Sequence, residues 1–204
     1  MHQEQILYAG NNADATSALI MIHGRGASAD DILSLSENLN TREYLLAAPQ
    51  ATGNSWYPKS FLAPQKENEP WLSSALDLVH QTVHKIITRG ITEKNIYFLG
   101  FSQGACLTLE YVARNAKRYG GIVAFTGGLI GDQINKSLYK GDFEMTPVFF
   151  GSSNPDMHVP VERVHASADI FRQMGADTTE KIYPNMGHTI NQDEINRANT
   201  LIFK

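Results

Sequence analysis

An intramolecular disulfide is ruled out for this chain at once, because it holds a single cysteine, Cys106. That scarcity fits a reducing compartment. Long apolar runs are also missing. The longest near the start, Ala18–Ile22, falls far short of the roughly 20 residues that span a bilayer. The opening residues Met1-His2-Gln3-Glu4-Gln5 lack the basic start and apolar stretch of a secretory signal. The expectation is a cytoplasmic protein without stable membrane anchoring. No block of one charge occurs. The 17 basic and 21 acidic residues are interspersed and leave a net charge of −4. Nothing in that pattern calls for nucleic acid as a partner. Internal repeats and low-complexity tracts are absent too.

What remains is an ordinary globular composition, 204 residues with 42% apolar, enough for one domain over residues 1–204 with a sizeable core. Six short apolar segments read as strands: Leu19–Ile22, Tyr44–Ala48, Asn95–Leu99, Gly121–Phe125, Val148–Phe150 and Thr179–Tyr183. Most are apolar throughout rather than alternating, as expected of strands buried on both faces of a parallel sheet. Between them run helical patterns. Leu72, Ala75, Leu76, Val79, Val83, Ile86 and Ile87 recur at helical spacing, and so do Val161, Val164, Ala168 and Phe171. Ser102–Asn115 and Asp193–Phe203 complete the helical set. The alternation predicts an α/β fold, a mostly parallel central sheet with helices on both faces. Gln50–Pro70 shows no period and carries Gly53, Pro58, Pro64 and Pro70 among several aromatics. A long irregular segment of this kind often serves function.

The sharpest motif is Gly100-Phe101-Ser102-Gln103-Gly104, set between the strand Asn95–Leu99 and the helix that contains Cys106, Leu107 and Val112. Gly-x-Ser-x-Gly alone recurs by chance. In a strand–turn–helix context it describes a tight turn that exposes a serine hydroxyl at a helix N-terminus. A serine hydroxyl needs a base to become a nucleophile. In α/β hydrolases the partners follow in the order serine, acid, histidine. Asp156, in the loop after Val148–Phe150, and His188, between the last strand and the last helix, meet that order. The expected roles are Ser102 as nucleophile, His188 as general base and then acid, and Asp156 as the group that orients the imidazole. Singly, Asp156 also reads as a turn residue beside Asn154 and Pro155, and His188 as a loop histidine.

Acyl transfer further needs donors for an oxyanion. The backbone N–H of Gln103 is one candidate. The Arg25 N–H, in the glycine-flanked run Ile20-Met21-Ile22-His23-Gly24-Arg25-Gly26, is the other. Whether the Arg25 side chain also attracts an anionic substrate group is left open by the sequence. His23, Trp56, Tyr57, Phe61 and His158 are the candidate pocket residues. The aromatics of the Gln50–Pro70 segment serve equally well to pack that loop on the core. His80 and His84 stand one helical turn apart, but a solvated face explains them more simply than a metal, and no third ligand lies near in sequence. His165 reads as a helix-surface residue and Cys106 as a small buried apolar one. No cofactor and no metal is called for.

Together, His23-Gly24-x-Gly26, Trp56, Gly100-Phe101-Ser102-Gln103-Gly104, Asp156-x-x-Val159-Pro160 and Gly187-His188 resemble the phospholipase/carboxylesterase family of α/β-hydrolases, which includes acyl-protein thioesterases and bacterial carboxylesterases. The resemblance runs from about Leu19 to His188. It implies a compact α/β-hydrolase fold without a large cap domain, a Ser102–His188–Asp156 triad, and an oxyanion hole from the Arg25 and Gln103 amides. The chain departs from the family where it has Arg25 and Ala27 in place of the frequent leucine and aspartate, Trp56-Tyr57-Pro58, and a longer approach to the acid over Gly151–Asp156. The expected activity is hydrolysis of small or medium acyl esters, or thioesters, through an acyl-enzyme. Two alternatives stay open: a catalytically weak ligand-binding protein that keeps the pocket, and an acyltransferase or perhydrolase that uses the same acyl-enzyme. The expected partner is a small-molecule ester, and the chain is expected to be a monomer or homodimer.

Overall fold

The side chains of Ala18, Ile20 and Ile22 go to one side of a sheet and those of Leu19 and Met21 to the other, and this alternation organises the molecule. The computed structural model describes residues 1–204. Seven strands form one sheet: β1 (Ile6–Gly10), β2 (Ser17–Ile22), β3 (Tyr44–Pro49), β4 (Ile96–Phe101), β5 (Gly121–Phe125), β6 (Pro147–Asn154) and β7 (Asp177–Pro184). Their order is β1-β3-β2-β4-β5-β6-β7, parallel except where β1 runs antiparallel to β3. The central strands β2 and β5 are buried almost throughout, because both of their faces are covered.

Helices cover the two faces. On one side lie α3 (Trp71–Ile87), α4 (Gln103–Arg114) and α5 (Val161–Gln173), over a core of 39 buried residues. On the other, α1 (Ala29–Ser34) and α6 (Gln192–Leu201) close a smaller core of 16. Helix α3 follows from its sequence. Leu72, Ala75, Leu78, Val79, Val83 and Ile86 make one buried stripe, and Gly90, at a φ of 93°, lets the chain turn away after the last turn. Helix α4 differs. From Gln103 to Ala113 it is buried on all sides, lying between the sheet and its neighbouring helices. The β5–β6 connection, residues 126–146, contains only the 3-10 turn Lys136–Leu138, and no inserted segment caps the sheet. No helix is long and apolar enough to cross a membrane.

All six strands read from the sequence are present, with ends shifted by a few residues. Three elements were not anticipated: β1, α1 and the four-residue helix α2 (Gln65–Asn68). Strand β1 is a half-buried edge strand, although its run Ile6-Leu7-Tyr8-Ala9 is as continuously apolar as that of an interior strand. Helix α1 opens on a capping box in which Ser28 and Asp31 exchange bonds, yet it runs for only six residues, too short to show a period. The register decides where the site lies. Phe101 pairs with Phe125, and Asn154 with Pro184, so β4, β6 and β7 deliver their C-terminal ends to one edge of the sheet.

Candidate active site

The turn between β4 and α4 forces Ser102 to a φ of 54° and ψ of −120°, a region an L side chain avoids unless its surroundings impose it. They do so here. The Ser102 N–H donates to the Phe125 carbonyl at 2.9 Å, and its carbonyl accepts the Cys106 N–H at 3.0 Å. Glycine is required on both sides. A Cβ on Gly100 would stand 2.4 Å from the Gly104 carbonyl oxygen, and one on Gly104 would stand 2.1 Å from that of Ile22.

Asp156 follows the end of β6 and His188 follows β7. Their side chains meet Ser102 in one hydrogen-bonded chain. His188 Nε2 lies 2.8 Å from Ser102 Oγ, and His188 Nδ1 lies 2.9 Å from Asp156 Oδ2. The other carboxylate oxygen, Oδ1, accepts the backbone N–H groups of His158 and Val159 at 2.8 and 2.9 Å. Burial alone would raise the Asp156 pKa, but the His158 N–H, His188 and the Val159 N–H outweigh it and hold the carboxyl below its ordinary value. The histidine loop is tied down as well: the Gly187 N–H donates to Ser153 Oγ at 3.0 Å. The Phe101 ring packs on the His188 imidazole at 5.3 Å and the His158 ring at 4.9 Å.

The backbone N–H groups of Arg25 and Gln103 find no acceptor in the protein, as expected for the first turn of a helix in the case of Gln103. Their side chains both bond to one segment. Arg25 donates to Ser55 Oγ at 2.9 Å and to the carbonyl oxygens of Tyr57, Pro58 and Lys59 at 2.8, 3.2 and 2.8 Å. Gln103 accepts the Trp56 N–H at 3.0 Å and donates to the Tyr57 carbonyl at 2.8 Å.

A cleft of about 510 Å³ opens over Ser102. Of the expected pocket residues, Tyr57, Phe61 and His158 line it. His23 and Trp56 do not, and this corrects the sequence expectation. Both side chains are fully buried behind the cleft wall. The His23 ring lies between the Gly24 carbonyl, 2.7 Å from Nδ1, and the Ala51 N–H, which donates to Nε2 at 3.1 Å. Trp56 Nε1 donates to the His23 carbonyl at 2.8 Å, and the two rings pack at 4.9 Å. They brace the turn that carries Arg25, since a ring nitrogen can satisfy a buried backbone group that has no other partner. Burial lowers the His23 pKa, and the Gly24 carbonyl offsets part of the effect.

The sequence reading missed five lining residues, Pro58, Lys59, Ser60, Cys106 and Val159. Cys106 was signalled by its spacing, because it lies one helical turn beyond Ser102 on the same face of α4. Burial pushes its thiol up to about 12. Lys59 carried no such signal. Outside the site, His80 and His84 are on the exposed side of α3, with His80 Nδ1 3.2 Å from the Tyr111 hydroxyl. His165 pairs with Glu180 on the surface of α5.

The comparisons with known proteins agree with this architecture. The model of the phospholipase/carboxylesterase family matches residues 7–204. The crystal structure of a phospholipase/carboxylesterase from Dyadobacter fermentans is 52% identical, covers 100% of this chain and 98% of its own, and superposes with a TM-score of 0.99. A probable carboxylesterase of Arabidopsis thaliana, SOBER1-like, is 28% identical over 198 residues, 89% of this chain and 76% of the relative. Acyl-protein thioesterase 1 of Gibberella zeae is 24% identical over 93% of this chain and 90% of its own length. A strained Gly-x-Ser-x-Gly turn at the carboxyl edge of a mostly parallel sheet, and a family match over nearly every residue, lead to one assignment: the chain belongs to the phospholipase/carboxylesterase family of α/β-hydrolases and is a hydrolase of the carboxylic-ester class.

Proposed function

We propose that the protein cleaves small or medium acyl esters, with thioesters as a close variant, through an acyl-enzyme on Ser102. The observation that carries this reading is the unbroken chain Ser102 Oγ–His188 Nε2 at 2.8 Å and His188 Nδ1–Asp156 Oδ2 at 2.9 Å. His188 takes the Ser102 proton as Oγ attacks the scissile carbonyl carbon, then returns it to the leaving oxygen or sulfur. Asp156 holds the imidazole with Nδ1 protonated and stabilises the imidazolium that forms. The amides of Arg25 and Gln103, free of protein acceptors, take the negative charge of the tetrahedral intermediate, and the N-terminus of α4 adds its dipole. Water, activated by the same histidine, then releases the acid and restores Ser102. The cleft volume of about 510 Å³ suits a small or medium acyl group.

The test is Ser102→Ala, with hydrolysis of p-nitrophenyl butyrate as the readout and circular dichroism to show that the fold survives. The expected result is loss of turnover and loss of labelling by a fluorophosphonate. Turnover at the wild-type rate in this variant would overturn the reading.

A further inference from the structure

The cleft over Ser102 has the opposite electrical character to the chain that builds it. The chain has 21 acidic and 17 basic residues, yet no carboxylate lines the cleft. Its charged wall residues are Arg25 and Lys59, and its only other titratable nitrogens belong to His158 and His188. The nearest acid in the site, Asp156, is buried behind His188 and spends its oxygens on that ring and on two N–H groups. The Arg25 guanidinium is fixed by four neutral oxygens, which set its position without cancelling its charge. No acid lies within ion-pair distance of Arg25 or of Lys59. Two uncompensated cations in an acid-free cleft focus a positive potential on Ser102.

The direction of that potential follows from the proposed chemistry, on which this inference rests. The leaving oxygen must face His188 Nε2, which returns the proton to it. His158 packs against His188 on that wall, and Arg25 grips the Tyr57–Lys59 wall. We infer that the preferred substrate carries an anionic group, a carboxylate, on its acyl portion: a half-ester of a dicarboxylic acid rather than a simple fatty acyl ester.

The experiment compares monoethyl succinate with ethyl 4-oxopentanoate, which puts a neutral methyl ketone where the carboxylate stands, with p-nitrophenyl acetate as a control for ester hydrolysis as such. The expected kcat/KM favours the anion about tenfold or more at low salt. The preference shrinks in 1 M NaCl as screening shortens the reach of the cations. Lys59→Glu removes one of the two cations and abolishes the preference, read as the ratio of kcat/KM for the two ethyl esters. Equal or faster turnover of the neutral ester, no turnover of either ethyl ester, or a preference that survives Lys59→Glu overturns the inference. Loss of p-nitrophenyl acetate hydrolysis and of Ser102 labelling in the wild type would instead remove the esterase reading beneath it.

Discussion

Arg25 and Gln103 donate to the same atom. Arg25 Nη2 and Gln103 Nε2 each lie 2.8 Å from the carbonyl oxygen of Tyr57. The two residues whose amides are proposed to hold the oxyanion thus grip one loop with their side chains, which couples the oxyanion hole to the cleft wall. Gln103→Ala removes one grip and leaves the amide in place. The expected outcome is a fall in kcat of about 10- to 100-fold, part of what losing a whole donor costs. KM changes less, because the amide acts on charge that develops after binding. Steady-state kinetics with a neutral aryl ester checks it, and a change confined to KM would contradict the coupling.

Asp156→Asn is expected to lower kcat by about 10³- to 10⁴-fold at unchanged fold. The reason is local. Oδ1 accepts two backbone N–H groups, so the amide oxygen of asparagine must take that side and its NH₂ must face His188. That arrangement selects the tautomer protonated on Nε2, which cannot accept the Ser102 proton. Measured pre-steady-state acylation is the direct readout.

Gly104→Ala is expected to destabilise the protein by roughly 3 kcal/mol or more, because the new methyl meets the backbone carbonyl of Ile22 at 2.1 Å and no side-chain rotation relieves it. A urea midpoint close to that of the wild type would refute the close approach of α4 to β2.

Glu194 imposes a pH dependence on stability. It is fully buried at the start of α6; Oε2 accepts the Asn191 N–H at 2.9 Å, and Oε1 has no partner. Burial raises its pKa to about 7, against the partial opposition of that N–H. A carboxyl whose folded pKa lies above its unfolded one contributes stability that is complete below about 4.5. That contribution is lost as the pH rises through 7. Glu194→Gln, which mimics the protonated form, is expected to flatten stability between pH 5 and 8. At pH 8 it should exceed the wild type by on the order of 1–3 kcal/mol. Denaturant melts across that range decide it.

How much of this was legible depended on whether residue type alone carries the information. The interior strands were readable because burial on both faces leaves no room for polar residues, and Leu19–Ile22 or Gly121–Phe125 show it directly. The elbow and the order Ser102, Asp156, His188 were readable because a strained turn demands glycines at fixed offsets. Strand β1 was passed over although Ile6-Leu7-Tyr8-Ala9 is apolar throughout; what its residue types do not record is its half-buried place at the antiparallel edge of the sheet. Nor was the true place of His23 and Trp56 readable. Polar rings look alike in sequence whether they face a substrate or satisfy a carbonyl behind the wall, and only the bonds to Gly24, Ala51 and the His23 carbonyl tell the cases apart. The Arg25 side chain is a third case. Its four loop acceptors are mostly main-chain oxygens, which no residue alphabet records.

The pairing of Asn154 with Pro184 has an architectural consequence. Asp156 and His188 are launched from neighbouring strands of one β6–α5–β7 unit, whereas Ser102 and both candidate oxyanion donors belong to the half of the chain that precedes it. On the proposed chemistry the molecule is bipartite, with one part presenting the hydroxyl and its charge sink and the other presenting the proton carrier.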